Sequence, residues 1–150
     1  MNSEMRQLIL MRHGPAEALS ARDEARALTE QGREEVHGVA HWLKDRQVLA
    51  TGVVSSPYLR AMQTAALVAS VLGLAVLPQD SRLVPSGDAY GLAADLIRPG
   101  ESAFCVLHMP LIAALVRALT GQEVYPGTSA VFSIAMVSPV MGQNVLQWSS

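Results

Sequence analysis

The sequence predicts an α/β fold of three layers, an α/β/α sandwich in which helices cover both faces of a mostly parallel central sheet. Short apolar runs, typical of buried strands, alternate along the chain with longer segments whose apolar residues recur at helical spacing. This alternation is typical of parallel sheets, because two parallel strands need a crossover connection between them. The chain has 150 residues, of which 50% are hydrophobic, so it can form one well-buried core and is short for two. We therefore expect residues 1–150 to form a single domain.

The strands are predicted from apolar runs that are bounded by turn residues. They cover residues 8–11, 52–55, 75–77, 103–107, 129–137 and 144–148. The last two are expected to close the sheet on either side of a turn-rich segment.

The helices are predicted from apolar spacing together with residues that start and stop helices. In order, they run from Thr29 to about Arg46, from Ser55 or Ser56 to Gly73, over residues 90–97, and from Pro110 to Gly121. Thr29 and one of the two serines are candidate N-caps, and the two glycines are candidate C-terminal residues in the left-handed conformation. The segments 15–27 and 78–89 lack a clear period and are predicted to be loops.

Composition excludes several classes of function. The chain has 11 Lys and Arg against 13 Asp and Glu, a net charge of −2, whereas binding to nucleic acid requires a basic surface. No apolar run approaches the roughly 20 residues of a membrane span, and the first residues lack the layout of a signal peptide. We therefore expect a cytoplasmic protein with neither nucleic acid nor a membrane as its partner. The single cysteine, Cys105, lies in an apolar run and is expected to be buried.

Basic and imidazole side chains follow three of the predicted strands. Arg12, His13 and Gly14 come directly after the first strand, Arg60 opens the helix after the second, and His108 follows the fourth. In open α/β sheets, ligands bind at the carboxyl ends of the strands. Guanidinium groups match the geometry of phosphate, and the N-terminus of a helix favours an anion. The sequence therefore predicts a phosphate pocket at this edge of the sheet.

The blocks that contain these residues resemble those of the histidine phosphatase superfamily, also called phosphoglycerate mutase-like. They are Leu10-Met11-Arg12-His13-Gly14, Ser55-Ser56-Pro57-Tyr58-Leu59-Arg60-Ala61-Met62-Gln63-Thr64-Ala65 and Val106-Leu107-His108-Met109-Pro110-Leu111. The short chain and the form of the third block are most similar to the SixA-type phosphohistidine phosphatases. The resemblance extends over nearly the whole chain.

The resemblance implies a phosphatase that needs no metal and no other cofactor. By that resemblance, His13 is the nucleophile that takes the phosphoryl group, while Arg12, Arg60 and His108 bind it. The implied substrate is phosphohistidine on a signalling protein, such as a histidine-containing phosphotransfer domain, and the implied product is inorganic phosphate. A neutral imidazole is a competent nucleophile near pH 7, which supports the assignment independently.

The family's general acid has no clear counterpart in this chain. Many members carry a glutamate after the third strand, and the position that aligns with it is Arg82. Asp88 is a weak candidate for the general acid and Glu17 a second one. An alkoxide leaving group needs a proton donor, whereas a protonated phosphohistidine expels a neutral imidazole. The missing acid therefore favours a P–N bond over a P–O bond.

Alternative functions remain open at this point. The chain could be a phosphomonoesterase for small molecules, or a non-catalytic module that binds phosphate or a partner. A mutase is disfavoured, because the short segment between Arg60 and His108 leaves little room for a lid that would exclude water. His37 and His41 have the i, i+4 spacing of metal ligands, but without a third ligand nearby they are expected to be surface residues.

Overall fold

The computed structural model describes residues 5–18 and 22–150 and contains one six-stranded sheet with four α-helices. The strands are β1 (Gln7–Arg12), β2 (Gly52–Ser55), β3 (Ala75–Val76), β4 (Ala103–Leu107), β5 (Val131–Ala135) and β6 (Val145–Ser149). The helices are α1 (Glu30–Lys44), α2 (Leu59–Leu72), α3 (Ala89–Leu96) and α4 (Leu111–Thr120).

The strand order in the sheet is β3-β2-β4-β1-β5-β6. The pairs β2–β3, β2–β4 and β1–β4 are parallel, while β5 is antiparallel to both β1 and β6. Only β5 therefore runs against the other strands. This arrangement confirms the predicted α/β fold with a mostly parallel sheet.

Helices pack on both faces of the sheet. Alternate residues of β1 point to opposite faces, so Ile9 and Met11 join the core formed with α1 and α2, while Leu8 and Leu10 join the core formed with α3 and α4. Strands that are covered on both faces consist of continuous apolar runs, which is why β1 and β4 were recognisable in the sequence. In the described ranges, 5–18 and 22–150, no helix is long and apolar enough to cross a bilayer.

The structure differs from the sequence prediction mainly at the ends of elements. The prediction that Ser55 or Ser56 caps the second helix was wrong, because α2 begins at Leu59 with Tyr58 in the N-cap position and no side-chain cap. The two closing strands are displaced or shorter, and β5 covers Val131–Ala135. Two short 3-10 helices, Asp23–Ala25 and Ser81–Leu83, lie within the predicted loops. Residues 19–21 of the first predicted loop lie outside the described residues.

Candidate active site

The parallel pairing of β1, β4 and β2 brings the three predicted motifs together. Arg12 pairs with Leu107 in the register of β1 and β4, and the backbone N–H of His13 donates to the carbonyl of Leu107 at 3.1 Å. The rings of His13 and His108 consequently lie side by side, with their centroids 5.0 Å apart. A cavity of about 510 Å³ opens at this edge of the sheet. Its lining includes Arg12, His13, Pro15, Ala16, Asp23, Arg26, Arg60, Pro85, Met109 and Thr128.

His13 is held in one tautomer by its neighbours. Its Nδ1 lies 2.7 Å from the carbonyl oxygen of Gly14, which can only accept, so Nδ1 carries the proton and donates it. The lone pair is then on Nε2, where it accepts a hydrogen bond from Nε of Arg60 at 3.3 Å. Burial, together with the charges of Arg60 and Arg12, lowers the pKa of His13 to about 4. The imidazole is therefore neutral at pH 7, and the lone pair of its Nε2 faces a guanidinium group.

His108 is almost completely buried beside His13. Its Nε2 lies 2.6 Å from the hydroxyl oxygen of Ser56, which also accepts a hydrogen bond from the backbone N–H of Tyr58 at 3.2 Å. Burial and the neighbouring His13 lower the pKa of His108 to about 3, so this ring is also neutral. The hydroxyl of Ser56, which we expected to cap a helix, is thus used to orient His108.

Arg12 and Arg60 are fixed by backbone carbonyls. Nη1 of Arg12 donates to the carbonyl of Pro126 at 3.0 Å, and Nη1 of Arg60 donates to the carbonyl of Asp23 at 2.9 Å. Arg60 is the second residue of α2 and only 4% exposed, so its charge lies beside the positive end of the helix dipole. Such an arrangement of positive charge favours an anion in the cavity.

Two buried side-chain nitrogens of the site have no hydrogen-bond partner within the described part of the chain. They are Nε of Arg12 and Nδ1 of His108, and the one other such atom is Nδ2 of Asn144. Buried polar groups are nearly always hydrogen-bonded, so an unpartnered donor calls for an explanation. Two of the three belong to residues that the sequence assigned to phosphate binding. Because the hydroxyl oxygen of Ser56 already accepts from Tyr58, its own proton is donated to Nε2 of His108, which leaves the proton of the neutral ring on Nδ1. An oxyanion would supply acceptors for Nε of Arg12 and Nδ1 of His108.

Sequence reasoning missed two charged residues that line the cavity, Asp23 and Arg26. Nη2 of Arg60 lies 3.3 Å from Oδ2 of Asp23, and Nε of Arg26 donates to Oδ1 of the same carboxylate at 2.9 Å. Partial burial alone would raise the pKa of Asp23, but the bonds from Arg26 and Arg60 hold it below its usual range. The only available signal was an acidic and a basic residue three positions apart in a segment without a period.

The structure does not bring the candidate general acids to the cavity. Asp88 is exposed and caps α3 by accepting a hydrogen bond from the backbone N–H of Gly91 at 3.1 Å, so its carboxylate has a structural partner. Glu17 is exposed and contributes backbone hydrogen bonds. The side chain of Arg82 forms ion pairs with Asp80 and Asp95 on the surface. Neither the two candidate acids nor Arg82 is among the residues that line the cavity.

The other residues that the sequence singled out lie away from the site. His37 and His41 are exposed on α1 with their Nε2 atoms 3.3 Å apart, and the part of the chain that the structure describes contains no group of three metal-ligating residues. Cys105 is buried in β4, as predicted, and burial raises the pKa of its thiol to about 12. We therefore assign neither the two histidines nor the cysteine to the cavity.

The sequence and the fold of this chain are similar to those of known proteins. Residues 8–84 match the family described as the histidine phosphatase superfamily (branch 1). The phosphohistidine phosphatase SixA of Escherichia coli is 37% identical over 152 aligned positions, which cover 95% of this chain and 91% of that protein. A SixA homolog of Haemophilus influenzae is 32% identical over 142 positions, which cover 82% of this chain and 85% of that protein. The solved structure of the protein histidine phosphatase SixA complexed with tungstate superposes with a TM-score of 0.81 at 35% identity, and covers 95% of both chains.

Proposed function

Because the chain belongs to the histidine phosphatase superfamily, we propose that it hydrolyses phosphohistidine through a covalent intermediate on His13. The single observation that carries this proposal is the state of that imidazole. Its ring is neutral, its Nδ1 proton is held by the carbonyl of Gly14, and its Nε2 lone pair lies beside Arg60 in a cationic cavity. A nucleophile for phosphoryl transfer needs this combination.

The first step transfers the phosphoryl group to the enzyme. Nε2 of His13 attacks phosphorus, a new P–N bond forms, and the P–N bond to the substrate imidazole breaks in line with it. Nη groups of Arg12 and Arg60 neutralise charge on the equatorial oxygens, and the unpartnered Nε of Arg12 and Nδ1 of His108 are further donors for these oxygens. The substrate ring is protonated on its other nitrogen, so it leaves as neutral imidazole and needs no acid from the enzyme.

The second step is hydrolysis of the intermediate. A water oxygen forms a bond to phosphorus, the P–Nε2 bond breaks, and its electron pair returns to Nε2. Both protons of the water stay on the released phosphate, which leaves as the monoanion H2PO4−. Nδ1 keeps its proton, which is hydrogen-bonded to the carbonyl oxygen of Gly14. His13 therefore leaves as a neutral imidazole rather than as an imidazolate. The product is inorganic phosphate, and the enzyme regains its starting tautomer.

Three observations support phosphohistidine on a protein as the substrate. The two SixA proteins that the chain resembles are named phosphohistidine phosphatase and its homolog. Among the described residues that line the cavity, the one carboxylate is Asp23, which is bound by two arginines and is therefore a poor proton donor. The segment between Arg60 and His108 forms most of α2, then β3, α3 and β4, which leaves little chain for a lid. A phosphotransfer domain of a two-component signalling system, in the cytoplasm, fits such a site.

A comparison of two substrates tests the proposal. One is a phosphotransfer domain phosphorylated on histidine, and the other is p-nitrophenyl phosphate, which stands for small phosphate esters. We expect a higher kcat/KM for the protein substrate and a phosphorylated His13 in quenched samples analysed by mass spectrometry. A preference for the small ester would instead favour the phosphomonoesterase, and the absence of turnover on both would favour a binding module.

A His13→Ala variant provides the direct check of the nucleophile. We expect it to lose turnover on both substrates and to keep its fold, because the ring lies at the edge of the sheet rather than in either core. His37→Ala is the matched control, since that histidine is exposed on α1. Residual activity within about tenfold of the wild type would exclude His13 as the nucleophile, because general nucleophilic catalysis contributes far more than that.

A further inference from the structure

We infer that Arg26 is a third guanidinium ligand of the transferred phosphoryl group and that Asp23 is the residue that positions it. The inference rests on the proposed function and adds to it a substrate-binding residue that lies outside the three blocks of the sequence. It depends on the contacts of Asp23, in the short 3-10 helix Asp23–Ala25, and of Arg26, directly after it, both of which line the cavity.

Arg26 is held in place with part of its guanidinium group unused. Its Nε donates to Oδ1 of Asp23 at 2.9 Å, and its Nη1 donates to the backbone carbonyl of Glu17 at 2.8 Å. Its Nη2 makes no hydrogen bond within the described ranges of the chain. The side chain is only 23% exposed and lines the same cavity as Arg12, His13 and Arg60. A fixed guanidinium with a spare N–H pair at an oxyanion site is suited to bind a phosphoryl oxygen.

Asp23 joins Arg26 to Arg60. One carboxylate oxygen accepts from Nε of Arg26, the other lies 3.3 Å from Nη2 of Arg60, and the backbone carbonyl of Asp23 accepts from Nη1 of Arg60 at 2.9 Å. Two arginines, 34 positions apart in the sequence, are therefore fixed relative to each other by one residue. A side chain that acts on the substrate through two other side chains is a positioning residue.

The charges of the cavity match those of the group that it is proposed to bind. Arg12, Arg26 and Arg60 contribute three positive charges and Asp23 one negative charge, which gives a net charge of +2. His13 and His108 are neutral at pH 7. A phosphoryl dianion is neutralised by this set, whereas without Arg26 the cavity would keep a net charge of only +1. The charge of Arg26 also reaches His13, since it is one of the influences that lower the pKa of that ring after burial.

The experiment compares Arg26→Gln with Arg22→Gln. Both arginines flank the same 3-10 helix, but Arg22 is exposed, pairs with Glu24, and does not line the cavity. Orthovanadate serves as the probe of the oxyanion site, and p-nitrophenyl phosphate as the substrate. We expect Arg26→Gln to weaken orthovanadate binding and to lower kcat/KM by about tenfold or more, as for the loss of a charge-assisted hydrogen bond, with Arg22→Gln close to wild type. Equal effects of the two variants, or none, would overturn the inference.

A second pair of variants tests the positioning role of Asp23. Asp23→Asn removes the charge that holds both arginines, and Glu24→Gln is its matched control on the neighbouring residue. We expect Asp23→Asn to weaken orthovanadate binding although it removes a negative charge from the cavity, and to have a smaller effect in the Arg26→Gln background. Tighter orthovanadate binding by Asp23→Asn would show that the carboxylate merely opposes the anion, and would overturn its role.

A lysine at position 26 separates the charge of Arg26 from the shape of its guanidinium group. Arg26→Lys retains the charge without the planar fork, so we expect its affinity for orthovanadate to lie between those of the wild type and Arg26→Gln. The melting temperature of each variant checks its fold.

If the wild type neither binds orthovanadate nor turns over any substrate, the proposed function fails and the inference fails with it. If the wild type is active and Arg26→Lys, Arg26→Gln and Arg22→Gln are all equivalent to it, only the inference about Arg26 fails.

Discussion

At the scale of single residues, the two imidazoles of the site are kept neutral by different partners. His13 is fixed by a carbonyl on one nitrogen and by Arg60 on the other, whereas His108 bonds to the hydroxyl of Ser56 and leaves its Nδ1 unpartnered. Both lie at least nine-tenths buried beside guanidinium groups, and the burial of each ring disfavours its charged form. The site therefore combines a neutral imidazole, our proposed nucleophile, with cationic side chains, a combination that suits the proposed phosphoryl transfer.

This arrangement makes the stability of the protein depend on pH. In the unfolded chain both histidines titrate near 6.5, but in the folded protein the pKa of His13 is lowered to about 4 and that of His108 to about 3. Below pH 6.5 the unfolded state therefore binds more protons than the folded state, so the free energy of unfolding falls as the pH is lowered from 6.5 towards 4. Above pH 6.5 these two groups cause no such loss.

Urea denaturation at a series of pH values measures this effect. His108→Gln, whose amide can still bond to Ser56, should reduce the slope of the unfolding free energy between pH 6.5 and 4. His37→Gln, at an exposed position on α1, should leave the slope as it is in the wild type. If His108→Gln has the wild-type slope, His108 does not resist protonation in the folded state.

At the scale of secondary-structure elements, α1 is packed closely against the segment that follows His13. Thr29 caps α1 by accepting from the backbone N–H of Gly32 at 2.8 Å, and its own N–H donates to the carbonyl of Pro15 at 3.1 Å. A Cβ at Gly32 would lie only 2.1 Å from the carbonyl oxygen of Pro15. The first turn of α1 therefore has a glycine because the backbone near His13 passes directly over it.

Gly32 and Gly38, both in α1, should respond in opposite ways to substitution by alanine. Gly32→Ala should destabilise the protein by about 1–3 kcal/mol and lower its activity, because the backbone at Pro15 must move away from the helix. Gly38→Ala has nothing within 4 Å of the new methyl group and should stabilise the protein by about 0.5–1 kcal/mol at unchanged activity. Urea denaturation and turnover of p-nitrophenyl phosphate give both quantities. Equal stabilisation by the two substitutions would contradict the close approach.

The buried strand β4 gives a prediction about its cysteine. Cys105 is buried and the pKa of its thiol is raised to about 12, so the folded protein should react slowly with iodoacetamide and keep its activity. Cys105→Ala should be active and less stable by about 1 kcal/mol, because it loses a small buried group. Rapid inactivation by iodoacetamide that phosphate prevents would instead indicate a thiol inside the cavity.

At the scale of the whole molecule, the site is built at one edge of the sheet from groups that donate hydrogen bonds rather than protons. The candidate acids that the sequence offered, Asp88 and Glu17, are outside the residues that line the cavity. The reaction should therefore depend strongly on the leaving group.

A series of phosphomonoesters with leaving groups of different pKa tests this dependence. We expect log kcat/KM to fall steeply as the pKa of the leaving group rises, so that aryl phosphates are hydrolysed and alkyl phosphates are poor substrates. Asp88→Asn should have the same slope, since asparagine is also a good N-cap for α3. A flat dependence in the wild type, or a change of slope in Asp88→Asn, would indicate a proton donor after all.

The sequence predicted the site residues that directly follow buried strands, but not those that lie in the loop after β1. Arg12, His13 and His108 could be placed because β1 and β4 are continuous apolar runs whose ends meet in a parallel sheet. Asp23 and Arg26 could not, because they lie in an aperiodic segment, and the contact that joins this segment to the site, between Asp23 and Arg60, spans 37 positions of the chain. Ser56 was misassigned for a related reason, since its hydroxyl is used by a residue 52 positions away rather than by the nearby helix.

The contact between α1 and the edge strand β6 has a spectroscopic consequence. The chain has two tryptophans, Trp42 and Trp148, and their rings meet edge to face with centroids 5.6 Å apart. The guanidinium of Arg46 lies over the ring of Trp42 at 3.4 Å. Intrinsic tryptophan fluorescence therefore reports on this one corner of the molecule. Local opening of α3 and α4, on the opposite face of the sheet, should leave the emission unchanged and be visible only to methods such as amide hydrogen exchange.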